Sequence, residues 1–170
     1  MKKVFSLGAF ALLLSPSMAV ARSSMATTQY GVGPHGWDYW VGTWTCKNLM
    51  VSAVSGPSTT TLTVSSSRAG SSYYYRSKGQ NFDQAGYISY SAKTKAWFNP
   101  VAYADGGYSF ESTTQTGKKT TWTGTYYSAA SAMTAQVRDT YTMSPGRFTD
   151  FNETKSGGVW KTTGNTTCTK

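Results

Sequence analysis

Leucine, histidine, cysteine and acidic side chains are all scarce in this sequence, and each scarcity narrows what the chain can be. Beyond residue 21 only two leucines remain, Leu49 and Leu62, and no long apolar stripe recurs at helical spacing. That excludes a helical bundle, whose core needs such residues. The one histidine, His35, and two cysteines, Cys46 and Cys168, cannot fill a four-ligand site, so no metal is expected. His35 lies in a Gly/Pro stretch, which leaves no base for a Ser-His-Asp triad. No G-x-S-x-G elbow, phosphate-cradling loop or dinucleotide fingerprint occurs. After the N-terminal segment no run approaches the roughly 18 apolar residues of a membrane helix, so no transmembrane segment is expected. At 170 residues the chain has room for a single domain.

The N-terminus carries an address. Met1–Lys3 is basic, Val4–Leu14 is apolar apart from Ser6 and Gly8, and Ala19-Val20-Ala21 supplies a small-x-small cleavage pattern. This is the build of a secretory signal peptide over residues 1–21, and it places the protein in the periplasm or outside the cell. Residues 22–36 read as a flexible polar leader, and residues 37–170 as the folded domain. After cleavage 14 basic residues face 7 acidic ones, a net charge of +7. Export favours a Cys46–Cys168 disulfide over two free thiols. In chain-entropy terms, closing so long a loop contributes about 5 kcal/mol.

What the chain has in plenty is Thr, Ser, Tyr and Gly, the residues of strands and turns. Strands are predicted at 43–51, 58–65, 71–77, 86–91, 96–101, 107–112, 120–127, 132–143, 147–154 and 159–169, roughly eight to ten in all. Trp44, Cys46 and Met50 share a face of the first, and Trp122, Gly124 and Tyr126 a face of the seventh. Turn sequences such as Asp105-Gly106-Gly107 and Ser144-Pro145-Gly146 separate them. Consecutive hairpins make an antiparallel meander, and closure into a barrel removes its exposed edges. The fold class is therefore all-β, a single meander barrel. Closure would pair the first and last strands, which carry the two cysteines.

Gly42-Thr43-Trp44 resembles the G-x-W signature that opens the first strand of lipocalins and related calycins. Gly86-Tyr87-Ile88-Ser89-Tyr90, Trp122-Thr123-Gly124 and Arg138-Asp139-Thr140-Tyr141-Thr142 extend the likeness to small secreted bacterial proteins with lipocalin-like or nitrobindin-like barrels. The resemblance covers about residues 37–170. It implies that a short turn at Trp37–Trp40 closes one end of the barrel, with Gly42 and Trp44 in structural roles. Nitrobindins hold haem through a His, but His35 precedes the first strand, so no haem or other cofactor is expected. Gly42-Thr43-Trp44, Thr121-Trp122-Thr123-Gly124 and the ending Thr169-Lys170 also resemble avidins, without a placeable biotin-binding set.

The remaining chemistry is aromatic. With so few leucines, the 6 Trp and 12 Tyr must supply core, and Trp44, Trp122 and Trp160 are assigned to it. Tyr75, Tyr90, Trp97, Tyr108 and Tyr126 are candidates to line a barrel mouth and stack a small, partly apolar ligand. Arg138 is a candidate to orient an acidic head group, against the plainer reading of a surface ion pair. No catalytic residue is assigned. Asp139 and Asp150 can face each other across the hairpin at Pro145, but acids in that position more often pair with Arg or Lys on a sheet surface. The scattered basic residues and the exported address argue against nucleic acid, and for weak contact with anionic envelope components. The expected function is ligand binding without catalysis. The alternatives are an envelope-associated structural or interaction protein with a solid aromatic core, and a hydrolase or isomerase on a calycin-like barrel.

Overall fold

A computed structural model describes residues 36–50, 57–67, 71–80, 82–115 and 117–170. The signal-peptide and leader assignments, and His35, lie outside these residues. Ten strands are present among the described residues: β1 Gly42–Met50, β2 Ser58–Ser66, β3 Ser72–Gly79, β4 Phe82–Ser91, β5 Ala96–Tyr103, β6 Tyr108–Thr113, β7 Lys119–Ser128, β8 Met133–Ser144, β9 Arg147–Ser156 and β10 Val159–Thr169. Each pairs antiparallel with its sequence neighbours, and β1 pairs with β10, closing the barrel. The expected all-β meander is thus the observed fold, and Asp38–Trp40 forms a short 3-10 turn ahead of it.

Alternation builds the wall. Along β2, Thr60, Leu62 and Val64 are buried while their neighbours are exposed, and β3 buries Tyr73, Tyr75 and Ser77 in the same rhythm. β4 starts four residues earlier than the sequence suggests, because Asp83 and Gln84 are poor strand formers on their own. The pairing Lys78↔Asp83 and Gly79↔Phe82 extends the ladder, and Arg76 Nε donates to Asp83 Oδ1 at 2.9 Å across it. At Pro100 the β4–β5 ladder skips two residue pairs, since proline has no N–H to give.

The seam is clamped at the residues that close it. Cys46 and Cys168 are direct register partners on β1 and β10 and are disulfide-bonded. The 3-10 turn plugs the adjacent end. Trp44 Nε1 donates to Trp40 O at 2.8 Å, and Tyr73 OH donates to Asp38 Oδ1 at 2.5 Å. The C-terminal Lys170 Nζ donates to Val41 O at 2.8 Å and stands 4.4 Å over the Trp44 ring. Behind the plug the rings interlock: Trp37 meets Trp122 at 5.5 Å, Trp40 at 5.7 Å and Tyr141 at 5.9 Å.

Trp160 is a correction. It was assigned to the core, but it lies on the outer face, half-buried, with the Arg138 guanidinium 4.6 Å from its ring. The cause is a bulge between Thr162 and Gly164 in β10. One extra residue reverses the alternation, so the positions before it point the opposite way to Cys168.

Candidate functional site

The inward positions change character along the barrel. At the plugged end they are aromatic. Further along they are polar, and the register explains how they meet. Glu111 of β6 stands opposite Asn99 of β5 and Gly124 of β7. Asp139 of β8 stands opposite Trp122 and Asn152, and Tyr141 of β8 opposite Asp150 of β9. Directly opposed residues share a face, so all three acids belong to the barrel interior.

Gly124 makes part of this possible. A Cβ there would lie 1.9 Å from Phe110 O and 2.7 Å from Glu111 Cα, so only glycine lets β6 and β7 approach at the Glu111 position. Gly86 does the same for Tyr75, whose hydroxyl would sit 2.6 Å from a Cβ at that position. The Tyr75 hydroxyl then reaches Asn99 Oδ1 at 2.8 Å.

Hydrogen bonds organise the layer. Ser109 Oγ donates to Glu111 Oε1 at 3.2 Å, and the Tyr103 hydroxyl lies 3.4 Å from Ser109 Oγ. Asn152 Nδ2 donates to Asp150 Oδ2 at 3.1 Å. On the opposite wall Thr166 donates to Asn48, which donates to Thr60, which also accepts from Ser77. Because Thr166 is the register partner of Asp150, the two groups form a polar belt around the interior.

The belt is not satisfied. Glu111 is only 3% exposed, and apart from Ser109 its carboxyl meets the Asp139 carboxyl, so Oε2 has no neutral donor; Asp150 is half-buried and takes hydrogen bonds from Asn152 and Tyr141, but its Oδ1 is enclosed. None of the three carboxyls has an ion-pair partner among the described residues, where the ion pairs are Arg76–Asp83 and Arg138–Glu153. Burial pushes the Glu111 carboxyl well above its ordinary pKa, and the Asp139 and Asp150 charges push it further. Burial raises Asp150 in the same way, with Asp139 adding to it, and burial also raises Asp139. These directions follow from like charges in a poorly solvated space. The layer favours protonated carboxyls, and it can receive a positive charge.

The six residues proposed to contact ligand separate into three groups. Tyr75 and Tyr126 face the interior near the acids, Tyr126 meeting Tyr103 edge-on at 5.5 Å. Tyr90 and Trp97 pack together at 5.1 Å in the aromatic end, Trp97 also lying 6.3 Å from Trp37. Tyr108 stacks on Tyr127 on the outer wall, and Arg138 there donates to Glu153 Oε2 at 2.7 Å. The preference for a surface pairing of Asp139 and Asp150 with Arg or Lys is overturned: both face inward, without such partners among the described residues.

Glu111, Tyr103, Asn99 and Tyr141 were not singled out from sequence. The β6 run Tyr-Ser-Phe-Glu-Ser-Thr alternates cleanly, but it exposes Tyr108 and Phe110 and buries Ser109 and Glu111, the reverse of the usual polarity. Asp139 carried a usable signal, since it falls on the same alternation as Val137, Tyr141 and Met143.

No family model matches the chain, and no curated protein matches it.

Proposed function

We propose that this protein is an exported lipocalin-like carrier that holds a small, partly apolar molecule inside the barrel without transforming it. One observation carries the reading: Glu111 is buried in the interior with an oxygen that has no donor other than a second acid, Asp139. An unsatisfied buried polar atom costs roughly 1–3 kcal/mol, more if charged. A ligand that completes the belt would offset that cost and so bind selectively. Tyr75 and Tyr126, with Tyr103, supply the stacking surfaces. The disulfide fits an oxidising compartment, and no helix among the described residues is long and apolar enough to cross a membrane. Cleavage after Ala21 would release the leader 22–36 and the barrel 37–170 into the periplasm or medium.

The test is a thermal-shift titration of the mature protein with small-molecule fractions of its own culture medium. A fraction that raises Tm for the wild type, but not for Glu111→Gln, supports the interior site. No stabilising fraction at all would replace the carrier with a barrel whose interior is purely structural. That alternative would work through its outer wall, where a threonine-lined groove of about 410 Å³ carries Lys119 and the Arg138–Glu153 pair, with Lys119 available for weak contact with anionic envelope polymers.

A catalytic reading has one observation in its favour. Three neighbouring carboxyls held above their ordinary pKa values can act as general acids. Recovery of the stabilising molecule chemically altered after incubation would move the protein to the hydrolase or isomerase class.

A further inference from the structure

We infer that the interior site takes an amphiphilic amine, its ammonium seated among Glu111, Asp139 and Asp150 and its apolar part extending to the end of the barrel opposite the plug. The inference rests on the interior site proposed above. Two independent features of the molecule lead to it.

The first is the chemistry of the belt. Two carboxyl oxygens, Glu111 Oε2 and Asp150 Oδ1, are enclosed without a donor among the neutral groups; the donors of Tyr75, Ser109 and Asn152 are engaged, and Trp122 Nε1, on the residue opposite Asp139, is the one enclosed donor in that layer left unpaired. Tyrosines surround the acids: Tyr75 and Tyr103 interact electrostatically with Glu111 and Asp139, and Tyr141 with all three. Carboxylates and aromatic rings around one point form a cation site. An acidic ligand would add a fourth carboxyl to a layer whose charges already repel one another, and a neutral alcohol would bring no counter-charge, whereas an ammonium favours the ionised form of the acids beside it.

The second is the open rim. Phe82, Met133 and Val159 begin β4, β8 and β10 at the end away from the plug. Their register partners Gly79, Ser128 and Ser156 put them on the inner face, yet they are 37%, 66% and 62% exposed. Along β8 the inner positions between Met133 and Asp139 are Ala135 and Val137, both half-buried. Met133 lies six residues from Asp139, a path of ~20 Å along the strand and ~15 Å along the barrel axis at the usual tilt. Apolar side chains at the rim above an acidic floor match an alkyl chain ending in an amine.

Proton linkage gives the test its sign. The titratable groups on the interior are Tyr75, Tyr103, Glu111, Tyr126, Asp139, Tyr141 and Asp150 around the site, with Tyr73, Tyr90 and Asp38 toward the plug and Lys161 at the rim by register. Glu153, outside and paired to Arg138, adds a weaker negative field at Asp139. Burial keeps Tyr75, Tyr103 and Tyr141 neutral. Burial and mutual repulsion make the acids hold protons more readily in the free protein than beside an ammonium, so an ammonium entering releases protons. Affinity therefore rises as pH rises toward the carboxyls' raised pKa values, by about tenfold per unit for one proton released.

The experiment is calorimetric titration of the mature protein with n-octylamine, n-octanol and octanoate at pH 5, 6 and 7. It is repeated on Glu111→Gln and Asp150→Asn, which keep size and remove charge. The expected result is that octylamine binds, octanol and octanoate bind at least tenfold more weakly, amine affinity climbs with pH, and each variant loses tenfold or more. Octanol or octanoate binding as well as the amine, or an amine affinity flat in pH, would overturn the cation class and leave the interior site standing. Amine binding unchanged in both variants would place the amine elsewhere and overturn the inference. If none of the three binds while a culture fraction still stabilises the protein, the amine assignment fails alone; if no fraction stabilises it either, both fail.

Discussion

The two halves of the barrel interior solve opposite problems. Toward the plug, Trp37, Trp44, Trp97, Trp122 and Tyr73 are all but completely buried and meet ring to ring. Burying a side chain of this kind contributes about 3 kcal/mol, which gives the fold its driving force. A few residues further along the same strands, three carboxyls face the interior with no cation beside them among the described residues, an arrangement that opposes folding. Trp122 and Asp139 are direct register partners, so the boundary runs between adjacent residues. The aromatic half supplies the stability that the acidic half gives up, and the acidic half is where a ligand has something to gain.

That division can be broken from either side. The largest effect is expected at the wall between β6 and β7. Gly124→Ala would place its Cβ against Phe110 O and the Glu111 backbone, which cannot move without opening the ladder. Loss of more than ~4 kcal/mol, or failure to accumulate folded protein, is the expected outcome; a denaturant melt checks it. Next comes the aromatic half. Trp122→Ala should cost ~3–5 kcal/mol, read as a lower urea midpoint at unchanged slope.

The acidic half should respond in the opposite direction. Glu111 has a folded pKa raised above its unfolded value, so the folded state binds the extra proton. Its favourable share is complete below the unfolded carboxyl range near ~4 and is lost as pH rises through the folded value. Wild-type Tm should therefore fall from acidic toward neutral pH. In Glu111→Gln the decline should flatten, and Tm at pH 7 should exceed that of wild type. An equal decline in both proteins would show that the layer is solvated. The smallest effect belongs to the outer wall: Arg138→Ala breaks a half-buried surface ion pair and uncovers Trp160, and should move Tm less than any change above.

Much of the fold was legible because its signals are local. Turn glycines, alternating Thr and Tyr, and cysteines in the first and last strands suffice for a closed meander. Period alone does not say which face of a strand is inside. For β2 and β3 the aliphatic and aromatic residues go inward as usual. In β6 the polarity inverts, because Glu111 is held by Asn99, Ser109 and Gly124 on three different strands, relations that no local pattern encodes. Trp160 was misplaced by one bulge residue, which nothing in Val159–Thr169 announces. Asp139 and Asp150 were visible as a pair across a hairpin, but their burial depends on the closure of the whole barrel.

Native mass spectrometry of the mature protein purified from its own exported fraction, beside Glu111→Gln prepared identically, tests the central claim most directly. The account predicts a reproducible added mass on the wild type that is lost on denaturation and absent from the variant. A clean unliganded mass for the wild type, or the same added mass on both proteins, would contradict it.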